Sequence, residues 1–339
     1  MLVVARTATD LDRALAAGHG HSLAFDGRFL AGLERLGPHA LTRSVGDVQR
    51  LLNRDPASGD ALSRIRWVRS LGLLTATARV GSNGLRVEFR LPSDRLRLTR
   101  ADLPLEPGAR SPSLPAGRHP AAAAVRGLDR LARFLERSLA ATDPESYSRY
   151  ATAIGQLRSL FGVDLHRDLI QQVREASVAF GGGDTLALVG RLRPGSAAAV
   201  GRTLERAQPA LDLGAGGLLP GARVESRAGV GGRTYVAARG RLELGRFGLR
   251  SGALVASVGS RPLPVPAAGQ RPRGVSGSLV LSGDLGRMGS LLGLIVELPR
   301  QGLRLVSGLG DLVLGVRTDT AGMIGRGRLS VLGRSRAGR

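Results

Sequence analysis

Apolar and polar positions alternate most regularly between residues 71 and 91. Leu85, Val87, Phe89 and Leu91 alternate with Arg86, Glu88 and Arg90. In the preceding arm Ala76, Ala78 and Val80 alternate with Thr75, Thr77 and Arg79. A period of two is that of a half-buried strand. Gly81-Ser82-Asn83-Gly84 joins the arms and carries the Asn-Gly signature of a hairpin. One face is apolar and one wet, which predicts an antiparallel sheet covered on one side.

Downstream the period becomes helical. Val125, Leu128, Leu131, Leu135 and Leu139 share one helical face. Asp143-Pro144 is a start signal, an N-cap followed by Pro at the first helical position. Tyr147, Tyr150, Ile154, Leu157 and Phe161 follow, and Gly162 stops that helix. Asp164 is placed to cap a third helix carrying Leu165, Leu169, Ile170 and Val173. Ser177–Phe180 and Thr185–Leu192 predict a hairpin around Gly181-Gly182-Gly183-Asp184, and Ser196 a helix to about Ala207. Residues 222–258 read as short strands with Gly-rich turns. Near the start, Leu2–Ala5 and His21–Asp26 read as strands. Thr9 or Asp10 caps a helix to Ala17, and Gly27–Leu36 is a helix with Phe29, Leu30, Leu33 and Leu36 on one face.

Two stretches lack any period, 101–122 with five prolines and 262–274. After the second, Ser278-Leu279-Val280-Leu281-Ser282-Gly283 resembles Ser22-Leu23-Ala24-Phe25-Asp26-Gly27. Phe29, Leu30 and Leu33 follow one; Leu285, Met288, Leu291 and Leu292 follow the other. Leu71-Gly72 and its hairpin resemble Leu309-Gly310 and a hairpin from Asp311 to Leu332, and Val3-Val4-Ala5 resembles Leu254-Val255-Ala256. The shared order predicts a partly duplicated α+β protein of about one and a half repeat units. Its antiparallel sheets carry helices packed on one face. Residues 1–110 form a partial first unit, 111–122 a linker and 123–339 a complete second unit. Nothing ahead of residue 2 corresponds to 125–250, so the first unit is expected to be truncated at its N-terminus, with an export or anchor segment ahead of the missing part.

Composition narrows the chemistry. The formal charge is +22, and every basic residue is Arg. Residues 1–100, 101–250 and 251–339 carry net charges of +7, +7 and +8, an even spread where a nucleic-acid footprint is a patch. With aromatic residues at 3%, stacking platforms for single strands are scarce. Specific nucleic-acid binding is therefore not expected. The local excess at Arg326, Arg328, Arg334, Arg336 and Arg339 reads as a solvated terminus. Absence of Cys excludes disulfides, zinc–thiolate sites and Cys nucleophiles. Absence of Lys excludes a Walker A loop and Schiff-base chemistry. No apolar run reaches the ~20 residues of a membrane-spanning helix, and Leu291–Val296 stops at Glu297. Met1–Ala5 is too short to read as a signal peptide.

The remaining candidates each have a plain structural reading. There is no Gly-x-Ser-x-Gly elbow, since Gly274-Val275-Ser276-Gly277 misses it by one position, and no His-Glu-x-x-His. His19 and His21 would share a strand face but lack a nearby carboxylate set. His166 with Asp168 reads as a solvated helix face. Gly181–Asp184 and Gly229-Val230-Gly231-Gly232 read as hairpin turns. Trp67 reads as a core or rim anchor, and Tyr147 and Tyr150 as core. No catalytic, cofactor-binding or metal-binding residue is assigned, and no cofactor is expected.

Leu160-Phe161-Gly162-Val163-Asp164-Leu165 with Asp168-Leu169 and Glu175, then Leu186-Ala187-Leu188-Val189, and the Asp102-Leu103-Pro104-Leu105 turn with Gly108 resemble a bacterial envelope-associated family, domain of unknown function thirty-three fifty-two. The resemblance covers most of the chain and implies an extracytoplasmic or membrane-anchored protein without catalytic residues. The expectation is a non-enzymatic envelope or secreted protein that holds an apolar ligand or partner between sheet and helices. A hydrolase with a site scattered in sequence is the alternative. A third reading is a weak, non-specific binder of nucleic acid or anionic surfaces.

Overall fold

The structure is a computed structural model and describes residues 26–37, 39–53, 56–81, 84–117, 119–181, 186–229, 232–259, 269–284 and 309–331. The expected strands at Leu2–Ala5 and His21–Phe25, the helix from Thr9 or Asp10 to Ala17, His19 and His21, the helix after Leu285 and the last arginines lie outside these residues. So do the tips of the turns at 82–83, 182–185 and 230–231.

In chain order the elements are α1 (Gly27–Glu34), β1 (Thr42–Asp47), α2 (Val48–Leu52), α3 (Pro56–Ser63), α4 (Arg66–Ser70), β2 (Leu73–Gly81) and β3 (Gly84–Pro92). Then come β4 (Ala121–Arg126), α5 (Leu128–Thr142), α6 (Pro144–Phe161), β5 (Val173–Phe180), β6 (Leu186–Leu192) and α7 (Ala197–Leu218). Seven strands follow: β7 (Ala222–Gly229), β8 (Gly232–Arg239), β9 (Leu242–Arg250), β10 (Ala253–Val258), β11 (Leu279–Asp284), β12 (Leu309–Asp319) and β13 (Gly322–Val331). The protein is mixed α+β, built on one large antiparallel sheet with several helices. The strand order is β1-β2-β3-β13-β12-β11-β4-β5-β6-β10-β9-β8-β7.

The alternating hairpin forms as its pattern requires. Thr75, Thr77 and Arg79 pair with Arg90, Glu88 and Arg86 on one face, while Ala76 and Ala78 pair with Phe89 and Val87 on the other. The apolar face joins the core. Phe89 packs with Leu105, Val125, Leu128, Leu131 and Val316, and Trp67, Leu71, Leu98 and Leu103 gather beside Phe134. At the other end α7 lays Val200 and Leu204 on Val173, Leu192, Val224 and Tyr235. Tyr235 stacks on Phe247 with ring centroids 5.1 Å apart. Leu128 and Ala176 touch both groups, so α5 and α7 cover the same face.

Four segments depart from the sequence expectation. Ala121–Arg126 is a strand, and the helix begins only after Gly127, which is left-handed at φ 71. The alanine run favours helix locally, but β4 is paired on both sides, by β11 and β5, and ladder bonds and packing decide. Val173 likewise belongs to a strand, because the helix capped by Asp164 is a single π turn at Leu165–Leu169 followed by a 3-10 turn. The helix from Ala197 does not stop near Ala207 but continues through Pro209 to Leu218. Helices also lie on both faces of the sheet. Gly32 of α1 approaches Val45 and Thr75 on the wet side, opposite the face that carries Phe89.

Of the stretch 111–122, read from sequence as a linker, residues 111–114 run over the sheet, and Ala121 and Ala122 already belong to β4. Ser111 Oγ donates to Val275 O at 2.8 Å, and Leu114 bridges Gln270. Gly277 N donates to Ala109 O at 3.1 Å. These segments lie on the face that carries Glu175, Ser177, Val189 and Val255, all buried. Glu175 is 3% exposed, with Arg271 Nη2 at 3.6 Å and Ser113 N at 3.4 Å.

Candidate functional site

The wet face of the β2–β3 hairpin is roofed by α1. Asp26 caps that helix, accepting from Arg28 N at 3.0 Å and Phe29 N at 3.3 Å. Gly32 gives close approach: an added Cβ would stand 3.2 Å from Val45 Cγ1. Arg79 Nη2 reaches up from β2 to donate to Leu36 O at 3.1 Å, tying down the far end. Between these ties a cleft of about 620 Å³ remains. Ala31, Gly32, Leu36, Leu73 and Pro92 supply apolar wall, and Thr75 and Thr77 the floor. Arg28, Arg35, Arg79 and Arg90 stand around it with Glu88 and Asp94.

Charge in the cleft is unbalanced. Glu88 is held by Arg90 at 3.0 Å and Arg326 at 3.4 Å. Burial alone would push its carboxyl up, but the two guanidinium groups outweigh burial and hold it below its ordinary value. Arg28, Arg35 and Arg79 pair with no carboxylate among the described residues. Among the described residues the lining contains no His, Ser or Cys; its hydroxyls are those of Thr75 and Thr77 and its carboxylates those of Glu88 and Asp94. The arrangement suits binding, with apolar wall for a chain or ring and arginines for an acidic end.

A second polar constellation lies between α5, α6 and the π turn. His166 Nε2 is 2.7 Å from Glu136 Oε1, and the Tyr150 hydroxyl donates to the same oxygen. Burial first, and then the Glu136 carboxylate, push the Tyr150 phenol up to about 12. Asp168 accepts from Asp164 N at 3.0 Å and from Arg167 Nε at 2.8 Å. The solvated-face reading of His166 and Asp168 is thus corrected: both are turned inward, and the π turn that does this leaves no periodic signal. Trp67 is buried in the core at 4% exposure. The residues that carry the family resemblance serve turns and packing. Gly162 is left-handed at φ 62, Val163 and Leu103 are fully buried, and Asp164 caps the π turn through Arg167 N.

Sequence reasoning missed Arg28, Arg35, Arg79 and Arg90 as a set. In a chain whose basic residues are all Arg, their convergence is visible only once α1 is placed over the hairpin. Glu136 was missed as well, since it meets His166 across 30 positions. Among the described residues no group of three or more His, Cys, Asp or Glu is gathered to hold a metal ion, and no helix is long and apolar enough to cross a membrane.

No family model matches this chain, and no curated protein matches it. Among solved structures, crystal forms III and I of TP0453 are similar, each 12% identical and covering 60% of this chain and 72% of that chain. Their TM-scores are 0.32 and 0.30, a likeness that carries no argument about fold or activity.

Proposed function

We propose that this chain is a non-enzymatic binding protein, envelope-associated or secreted, that takes an amphiphilic ligand between the sheet and its first helix. The observation that carries the reading is the cleft under α1, where apolar wall lies together with three arginines that lack carboxylate partners among the described residues. A dry apolar pocket would favour a neutral lipid, and converging His, Ser and Asp would favour a hydrolase; the lining fits an acidic amphiphile better than either. The sequence resemblance to the domain of unknown function thirty-three fifty-two supports the envelope assignment. Extraction of the purified full chain into organic solvent, followed by mass spectrometry, tests the reading. An acidic amphiphile in near-stoichiometric amount is expected. A chain that carries none and takes up none when acidic lipids are offered contradicts it.

We also propose that the chain is partly duplicated, about one and a half units joined within one sheet. Support comes from the strand order. β1, β2 and β3 are neighbours in the sheet in that order, and so are β11, β12 and β13. The two triplets meet where β3 pairs with β13. By this order the counterpart of β11 is β1 at Thr42–Asp47; the segment Ser22–Gly27 matched from sequence lies mostly outside the described residues.

A further inference from the structure

A second cleft, of about 460 Å³, opens where β4, β5 and β6 end beside the first turn of α5. Five guanidinium groups line it: Arg110, Arg126, Arg130, Arg174 and Arg193. Their convergence is built by the fold. Arg126 closes β4 opposite Glu175 of β5, and Arg130 lies in the first turn of α5. A β-bulge between Val173 and Glu175 leaves Arg174 out of the ladder, the kind of irregularity that re-aims a side chain. Arg193 follows β6, held by its backbone N to Gln172 O at 2.8 Å and its Nε to Gln171 O at 2.7 Å.

Three acids share the cleft, and each already has a counterion. Glu106 lies 3.7 Å from Arg126 Nε, Glu175 lies 3.6 Å from Arg271, and Asp129 is held by Arg133. Arg271 and Arg133 are not part of the lining. Arg110, Arg130, Arg174 and Arg193 are therefore left without a carboxylate partner among the described residues. Arg126 itself is fixed, donating to Pro107 O at 3.2 Å and Ser278 Oγ at 3.4 Å, and its Nε is inaccessible and makes no hydrogen bond. The lining sets five guanidinium groups against three carboxylates, a net charge of +2, and four of the guanidinium groups keep their donors free of carboxylates among the described residues, which leaves both charge and hydrogen-bond donors for an added anion. Guanidinium forks match the paired oxygens of an oxyanion, and several of them suit a doubly charged one.

We infer that the cleft of Arg110, Arg126, Arg130, Arg174 and Arg193 is a phosphate-binding site, taking the group either free or as the headgroup of an anionic lipid. It is separate from the cleft under α1 and does not depend on that reading.

The test uses the full chain at low ionic strength with two probes. One is inorganic phosphate, followed by calorimetric titration. The other is phosphatidylcholine vesicles with and without phosphatidic acid, followed by co-sedimentation. Arg174 and Arg193 are exposed, so Arg174→Gln/Arg193→Gln is expected to fold as the parent does, which a thermal melt verifies. Arg223→Gln, at an exposed position of β7, is the control. The site predicts binding that weakens tenfold or more in the double variant, about 1.4 kcal/mol, and is unchanged in the control. Binding of phosphate alone identifies a soluble ligand, and binding of the acidic vesicles identifies a lipid headgroup. If neither probe binds, or if the control loses as much as the double variant, the attraction is diffuse charge and the proposal is wrong.

Discussion

The ring of Phe89 on β3 lies against Gly325 on β13, directly across the ladder that joins the first hairpin to the last. A methyl group added at 325 would run into the ring, so the glycine is required by the aromatic neighbour and not by its own backbone angles. This contact is where the two hairpins become one sheet.

Gly325→Ala is expected to destabilise the protein by about 1–3 kcal/mol through overpacking. Phe89→Ala alone also destabilises, by leaving a cavity. The two changes together cost less than their sum, because each removes the cause of the other's strain. Chemical denaturation of the four proteins measures the coupling, and simple additivity would argue against the contact.

The Glu136 carboxylate serves two donors at once. Glu136→Ala leaves the Tyr150 hydroxyl and the His166 ring without it, at a cost of about 1–3 kcal/mol. The same pair sets an alkaline limit. The folded Tyr150 phenol titrates at about 12, above its ordinary 10. Its contribution to stability is therefore full below pH 10 and lost as pH rises toward 12. In Tyr150→Phe that part of the alkaline decline disappears. Melting temperature against pH for both proteins checks this, and parallel curves would contradict it.

Pro209 sits inside α7 and has no N–H to offer Glu205 O. Pro209→Ala is expected to stabilise the chain by up to about 3 kcal/mol, read as a higher denaturation midpoint. No gain would mean that α7 is bent there to fit the sheet.

The sequence made local features legible and left long-range ones hidden. The β2–β3 hairpin, the Asp143-Pro144 start and Gly162 stop of α6, and the strands of 222–258 follow from short-range rules of period and capping, and all are present. β4 is not legible because Ala121–Ala124 carries no side-chain pattern; its two sheet neighbours, 49 to 59 and 154 to 162 residues away, make it a strand. The same limit hid the cleft. Arg28 and Arg35 come from α1, and Arg79 and Arg90 from the wet face of a hairpin whose expected roof was solvent.

The central claim is that the cleft under α1 binds an acidic amphiphile. Fluorescence titration of the full chain with cis-parinaric acid, compared with Ala31→Trp, tests it most directly. Ala31 lines the cleft from α1, and an indole there fills the space without touching the core on the opposite face. The account predicts saturable binding at one site in the parent, lost in Ala31→Trp while the melting temperature is kept. Equal binding by both proteins would contradict it.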